Sequence, residues 1–469
     1  MGFDLLIRGG TVVDGSGAAP IRADVAVARG QITEVAPSIS ASAKRTVDAR
    51  GMTVTPGFID PHTHYDAQIC WDRQITPSSW HGVTTVMMGN CGVGIAPCRP
   101  QAREIAAWDL VNVEAIPFDV LSRGVTWDWV TFPEYMDAAA ARGPAINLGF
   151  LAPLTPFRHF VMGEESMERA ATIDETRAIA ALFRDAYEAG AFGFTTTLLS
   201  QHIGYQARPL AARLASRDEL AAYAHVLRDL GRGVIEVALT KSPGVISEEE
   251  CETLDFLLTE SRAKVTWLAL LNREDAPEAC LDSLRRADPL IRRGGVPQVT
   301  CRPLMVQIDL RNPFIFADTT TWKPLFNKPV EEQKAIYRSA EFRVAARDEL
   351  RKPRIFSGRW ERLEIKEVSA PALKPLEGKT VGRIAAERGR DGLDTFLDLG
   401  LEDDLAMQFS CALFNADERR IPELLADPRT MIGLSDGGAH VDMLCDSGYA
   451  THLLGHWVRD RQVLSLERA

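Results

Sequence analysis

From residue 55 onward the chain alternates short apolar strands with amphipathic stretches at helical spacing, and this rhythm constrains the fold more than any single motif. Eight strand candidates can be counted, at 57–60, 83–88, 145–151, 193–198, 233–239, 264–270, 298–306 and 430–435. Between them lie segments with helical periodicity, such as 172–189 and 217–230. Strands alternating with helices predict parallel βα units. Eight such units predict an α/β fold, a closed (β/α)8 or TIM barrel whose site lies at the C-terminal ends of its strands. Residues 1–54 read differently. The runs 5–15, 23–27 and 31–35 alternate over short lengths between glycine turns, which is antiparallel β patterning. The expected division is therefore 1–54 and 55–469.

The first barrel strand leads into Thr55-Pro56-Gly57-Phe58-Ile59-Asp60-Pro61-His62-Thr63-His64. In an extended chain residues i and i+2 point to the same side. His62 and His64 thus offer both imidazoles to one point at a strand end, and imidazole ligates zinc and similar divalent ions. A bare His-x-His is also at home in a solvated loop. Here the strand before it and two segments downstream weigh for a site. The second strand leads into Met87-Met88-Gly89-Asn90-Cys91-Gly92, and the eighth into Gly433-Leu434-Ser435-Asp436-Gly437-Gly438-Ala439-His440. Cys91 and Asp436 fall at strand ends, as the histidines do. A carboxylate so placed can shuttle a proton, and the two glycines after Asp436 are expected to leave room for a ligand. The alternative is an aspartate serving a turn.

These three segments, in this order, resemble the strand-1, strand-2 and strand-8 motifs of the N-acyl-D-amino-acid deacylase (D-aminoacylase) family of the amidohydrolase superfamily. The resemblance runs from about residue 3 to the last residue. It implies a metal-dependent hydrolase of a C–N amide bond, with deacylation of an N-acyl-D-amino acid as the first reading. Cys91 would be a metal ligand, and Asp436 both ligand and general base. Residues 1–54 would be the N-terminal part of a small β-sandwich. Typical members carry two further metal histidines, on strands 5 and 6. Here none of the nine histidines lies between His225 and His440. That leaves His62, His64, Cys91 and Asp436 as four ligands for one ion, Zn2+ or another divalent transition metal. Glu236 on strand 5 adds a carboxylate, either as a ligand or behind the ligands, and His202 after strand 4 could reach the site. A substrate of the family's type carries a carboxylate, which suits an arginine fork. Arg302 on strand 7 is the first candidate for that role, with Arg208 and Arg158 on mouth loops as alternatives. The missing histidines keep two other readings open. One is hydrolysis of another amide, cyclic amide or ester; the other is a ligand-binding homologue that has lost turnover.

The chain carries 53 basic and 64 acidic residues, a net charge of −11, with no basic block. This excludes the electrostatic footprint of a nucleic-acid binder and leaves a small molecule as the expected partner. No apolar run reaches the ~18 residues of a membrane span. Met1-Gly2-Phe3-Asp4 lacks the basic segment of a secretory leader. The eight scattered cysteines then read as reduced thiols, and the expected compartment is cytoplasmic. Residues 310–378 interrupt the barrel rhythm with Phe, Pro, Trp, Lys and Arg. They are expected to form a helical insertion after strand 7 that covers the strand ends and offers Phe314, Phe316 or Trp322 to a substrate. After strand 8 one helix is expected from 449 to about 469, with no stop signal. By the resemblance, the segment that would complete the sandwich is missing. The N-terminal sheet should then show an exposed edge or apolar face. The chain would be less stable than a longer domain or completed by another subunit, as in a homo-oligomer.

Overall fold

Short alternating runs separated by tight turns build the first sheet. The computed structural model describes every residue except 1, 317–318, 327, 352–355, 357 and 441–445, and the side chain of Phe314. The chain divides into two units, residues 1–59 with 82–84 and 450–469, and residues 60–81 with 85–449. The first holds β1 (Phe3–Val12), β2 (Ile21–Ala28), β3 (Gln31–Ala36), β4 (Ala43–Asp48) and β5 (Thr53–Val54), in the order β3–β2–β1–β4 with β5 also on β1. The hairpins β1–β2 and β2–β3 are antiparallel. β4 and β5, however, run parallel to β1, so the sheet is mixed where alternation alone suggested an antiparallel one. Buried Asp24 anchors the crossing from β3 to β4, accepting hydrogen bonds from the Gly9 and Ile39 amides at 2.7 and 2.9 Å. β3 is an edge strand with Ile32 and Val35 exposed, in line with the expected open edge. The final helical stretch stops at Asp460, short of the expected 469, where Gln462 turns into the left-handed region (φ 52°).

The barrel is built from β6 (Phe58–Asp60), β7 (Val83–Met88), β8 (Asn147–Phe150), β9 (Gly193–Thr197), β10 (Val234–Ala238), β11 (Lys264–Leu268) and β12 (Gly295–Val299). The eighth strand comes after the insertion. Sequential strands pair in parallel, as Thr85 with Asn147, Thr195 with Glu236 and Trp267 with Pro297. The Phe192 amide carries the ladder from β8 to β9 through the Phe150 carbonyl at 2.8 Å. Every residue of β9 and all but the first of β10 are buried, as expected for strands covered on both faces. Three of the outer helices, Ile173–Glu188, Arg217–Leu230 and Glu248–Ser261, each start with a full capping box, at Thr172/Glu175, Ser216/Glu219 and Ser247/Glu250. These boxes satisfy first-turn amides, and the first two helices coincide with the stretches 172–189 and 217–230 expected from helical spacing. Among the described residues no helix is long and apolar enough to cross a membrane.

After β12 the chain leaves the barrel. β13 (Leu304–Ile308), β14 (Glu364–Glu367) and β15 (Gln408–Phe414) form an antiparallel sheet in the order β13–β15–β14. The chain then re-enters the barrel as β16 (Met431–Ile432), parallel to β12. The insertion is thus α/β, with strands at 304 and 414 lying outside the bounds 310–378. It has a hydrophobic core of its own that includes Phe316, Trp322, Tyr337, Phe396 and Phe409. Trp322 stacks on Phe316 with centroids 3.9 Å apart. A segment this long can close its own core, and its largest apolar side chains belong there. Phe316 and Trp322 therefore do not serve the substrate as expected. Phe314's side chain lies outside the described residues.

Candidate metal centre and active-site cavity

The end of β6 and the loop after β16 are joined by a parallel bridge between Thr63 and Gly437, and the His64 amide donates to the Gly437 carbonyl at 2.7 Å. This closes the barrel where the chemistry-bearing side chains converge. It also explains the two glycines. A Cβ on Gly437 would lie 2.7 Å from the Tyr65 hydroxyl, and one on Gly438 (φ 87°) would lie 2.8 Å from the His64 carbonyl carbon. The space expected for a ligand is filled by the protein. Cys91, Leu434, Asp436 and His440 all adopt left-handed backbone, with φ between 49 and 60°. Four non-glycine residues in that region at one place is costly, and such strain collects at functional sites.

His62, His64 and Cys91 are buried, and their ligating atoms all lie within 4.8 Å of one another. His62 Nε2 is 3.4 Å from Cys91 Sγ and 3.5 Å from Asp436 Oδ1. His64 Nε2 is 3.3 Å from the same Asp436 oxygen. The far nitrogens face protein groups: His62 Nδ1 meets Gln298 Oε1 at 3.0 Å, and His64 Nδ1 meets Glu114 Oε1 at 3.3 Å. Both imidazoles thus turn Nε2 toward a common point shared with a sulfur and a carboxylate. Two nitrogens, one sulfur and one oxygen form a donor set for zinc or a similar transition ion, not for calcium or magnesium.

The electrostatics agree with a cation at that point. Burial pushes Glu114 and Glu236 up to about 8 and Asp60 up to about 7. It likewise drives the Cys91 thiol well above its usual range, helped by the Glu236 charge. Burial lowers His62 to about 4. For His64 burial acts the same way, but the Glu114 and Asp436 carboxylates outweigh it and raise the ring to about 9. Asp436, against its own burial, is held below the carboxylate range by its hydrogen bond to His64 and by the His62 charge. The acidic groups outnumber their cationic partners, and buried Asp60 Oδ2 and Glu236 Oε1 make no hydrogen bond. A divalent ion is the group whose charge offsets this excess.

The four residues expected as ligands are therefore brought together. Glu236 sits behind them: its Oε2 accepts from the Cys91 amide at 2.8 Å, and its Oε1 is 4.0 Å from His62 Nδ1. His202 lines the same cavity, with Nδ1 2.9 Å from Thr197 Oγ1. The arginines fall elsewhere, a correction to the expectation that one reads a substrate carboxylate. Arg158 is buried against Glu219. Arg208 pairs with Glu164 at 2.9 Å and Arg302 with Asp446 at 3.5 Å. Each is held by an acid away from the cavity. Sequence reading missed Gln298 and Glu114. The only signal for Gln298 was a polar residue inside an apolar strand. The signal for Glu114 was an acid in the last turn of a helix, where the dipole disfavours it.

The cavity encloses about 160 Å³. His62, His64, Cys91 and Asp436 line it together with Glu114, Gln201, His202, Thr240 and His440, and the remaining lining is apolar. Leu199, Leu268, Leu271 and Leu434 come from the barrel side, and Val306 and Phe414 from the insertion. These two strands, β13 and β15, flank the expected insertion; among the described residues none of 310–378 lines the cavity, so the cover expected from that segment is not what walls it. No lysine or arginine lines the cavity among the described residues.

Residues 45–293 match the amidohydrolase family. D-aminoacylase from Alcaligenes xylosoxydans xylosoxydans is 28% identical over 480 residues, spanning 100% of this chain and 81% of that protein. N-acyl-D-aspartate deacylase from the same organism is 35% identical over 193 residues, 41% of this chain and 36% of the relative. A crystal structure of D-aminoacylase superposes with a TM-score of 0.66 at 25% identity, over 99% of this chain and 83% of that one.

Proposed function

We propose, because this chain belongs to the amidohydrolase family and is similar to D-aminoacylase along its length, that it is a metal-dependent hydrolase cleaving the C–N bond of an uncharged amide or cyclic amide at a single ion. The observation that supports this choice of substrate is the cavity lining, in which His62, His64, Cys91 and Asp436 stand among largely apolar side chains with no lysine or arginine among the described residues. A carboxylate-bearing substrate would be desolvated there without a partner, at a cost of several kcal/mol. His62 Nε2, His64 Nε2, Cys91 Sγ and an Asp436 oxygen would hold the ion. When bound, such an ion polarises a carbonyl and acidifies a water to a pKa of about 7. Asp436 keeps its side chain partly open to the cavity and is held as a carboxylate, so it is the group that takes a proton from the attacking water and returns it to the leaving nitrogen. Gln298 and Glu236 hold His62 and the Cys91 backbone in place. The apolar walls exclude competing water.

A second reading, deacylation of N-acyl-D-amino acids, is favoured by the full-length likeness to D-aminoacylase. Metal-loaded protein assayed against neutral linear amides, cyclic amides and N-acyl-D-amino acids separates the two. Preference for the neutral compounds is expected. Turnover confined to N-acyl-D-amino acids would establish the second reading. Metal uptake with no turnover on any compound would mark a ligand-binding homologue.

A further inference from the structure

Glu114 breaks a local rule. It is the last residue of α1 (Arg103–Glu114), followed by Ala115 in left-handed backbone. A carboxylate at that end opposes the helix dipole, and this one is 1% exposed. A buried acid at the disfavoured end of a helix marks a place where local stability has been given up for a site. Its two oxygens face two different imidazoles. Oε1 is 3.3 Å from His64 Nδ1, and Oε2 is 3.3 Å from His440 Nε2. Its backbone carbonyl also accepts the His440 amide at 2.6 Å. One residue therefore spans a metal-ligating histidine and a histidine in the cavity wall, from an element outside the barrel strands.

An imidazole that ligates through Nε2 must carry its proton on Nδ1, and that proton needs an acceptor. For His62 the acceptor is the neutral amide of Gln298. For His64 the group facing Nδ1 is an acid, Glu114, whose Oε1 lies 3.3 Å away as an ion-pair contact, neither atom having a hydrogen bond in this geometry. We propose that Glu114 is a positioning residue of the metal centre: it fixes His64 in the Nδ1–H tautomer with Nε2 turned to the ion, raises that ligand's basicity, and with its second oxygen ties His440 to the same framework. The proposal rests on the metal-centre reading above. It makes the helix after β7 part of the site.

The test is cobalt(II) binding by metal-stripped protein, read by visible absorption and by the Cys91 thiolate-to-cobalt charge-transfer band, with circular dichroism as the folding control. Glu114→Gln keeps the shape but loses the charge. It should bind cobalt about 10- to 100-fold more weakly, the usual cost of losing such a partner, with a shifted d–d spectrum. Glu114→Asp should recover part of the loss. Unchanged affinity and spectrum in folded Glu114→Gln would overturn the proposal and leave the metal reading standing. Wild-type protein that takes up no cobalt would overturn both. A second measurement needs no variant. In zinc-loaded wild type with 15N-labelled histidine, long-range proton–nitrogen spectra should show His64 as the Nδ1–H tautomer, and an Nε2–H pattern counts against the proposal.

Discussion

At the scale of single residues, Asp436 is where geometry and charge meet. One of its oxygens lies within 3.5 Å of both histidine Nε2 atoms, and its backbone is left-handed (φ 53°), a conformation an aspartate tolerates better than most residues do. Asp436→Asn keeps the shape and removes the proton acceptor. Turnover should fall at least ~100-fold, the lower end of general acid–base contributions, with the circular dichroism spectrum unchanged. A variant with near-normal kcat would remove Asp436 from the chemistry. The arginines show the opposite case. Buried Arg158 is held by Glu219, which also accepts the Ala171 and Ser216 amides at 2.9 and 3.0 Å and the Tyr223 hydroxyl at 3.1 Å. Glu219→Ala leaves a buried guanidinium without its partner and should cost about 3–5 kcal/mol in denaturant unfolding. A loss under 1 kcal/mol would mean that water or another acid replaces Glu219.

At the scale of elements, the insertion works by its strands and not by the aromatics that advertise it. Trp322 lies in a core of its own, while Val306 and Phe414, on β13 and β15, reach the cavity. Trp322→Ala should destabilise the protein by about 3–5 kcal/mol through the void it leaves and hardly move KM in protein that remains folded. Phe414→Ala should raise KM several-fold with a smaller loss of stability. The reverse pattern would place the substrate against the core of the insertion. The outer helices at 172–189 and 217–230 were easier to read, because amphipathic spacing is written entirely in local sequence.

At the scale of the whole molecule, the acidic excess around the site ties stability to pH and metal. In metal-stripped protein Glu114 and Glu236 rise from 4.5 to about 8 by burial. His64 rises from 6.5 to about 9, its carboxylate neighbours outweighing burial. Between pH 6.5 and 9 these groups bind more protons folded than unfolded, so the stability they contribute is lost as pH rises through those values. Burial lowers His62, His440 and His202 to about 4, 4 and 3; their opposing effect fades through pH 6.5, is spent about one unit above it, and does not reverse the slope. Thermal unfolding of stripped protein should therefore shift to lower temperature from pH 6.5 to 9. Zinc at 100 times its Kd should add about 2.7 kcal/mol at fixed pH and flatten the slope. A stripped protein whose Tm rises over that window contradicts this assignment of charge. The sequence by itself determined the barrel and the order of its strands, because strand alternation and helical spacing are local patterns, and the resemblance of its strand-end motifs singled out His62, His64, Cys91 and Asp436 as candidates. Only the tertiary structure decided that Glu114 and Gln298 back the two histidines, that three promising arginines are held by acids elsewhere, and that the insertion keeps its aromatics for its own core. Those outcomes depend on which side chains meet across 44 to 236 residues of chain, and on the cost of burying a charge unless a partner arrives with it. Neither is visible in the neighbours a residue has along the sequence.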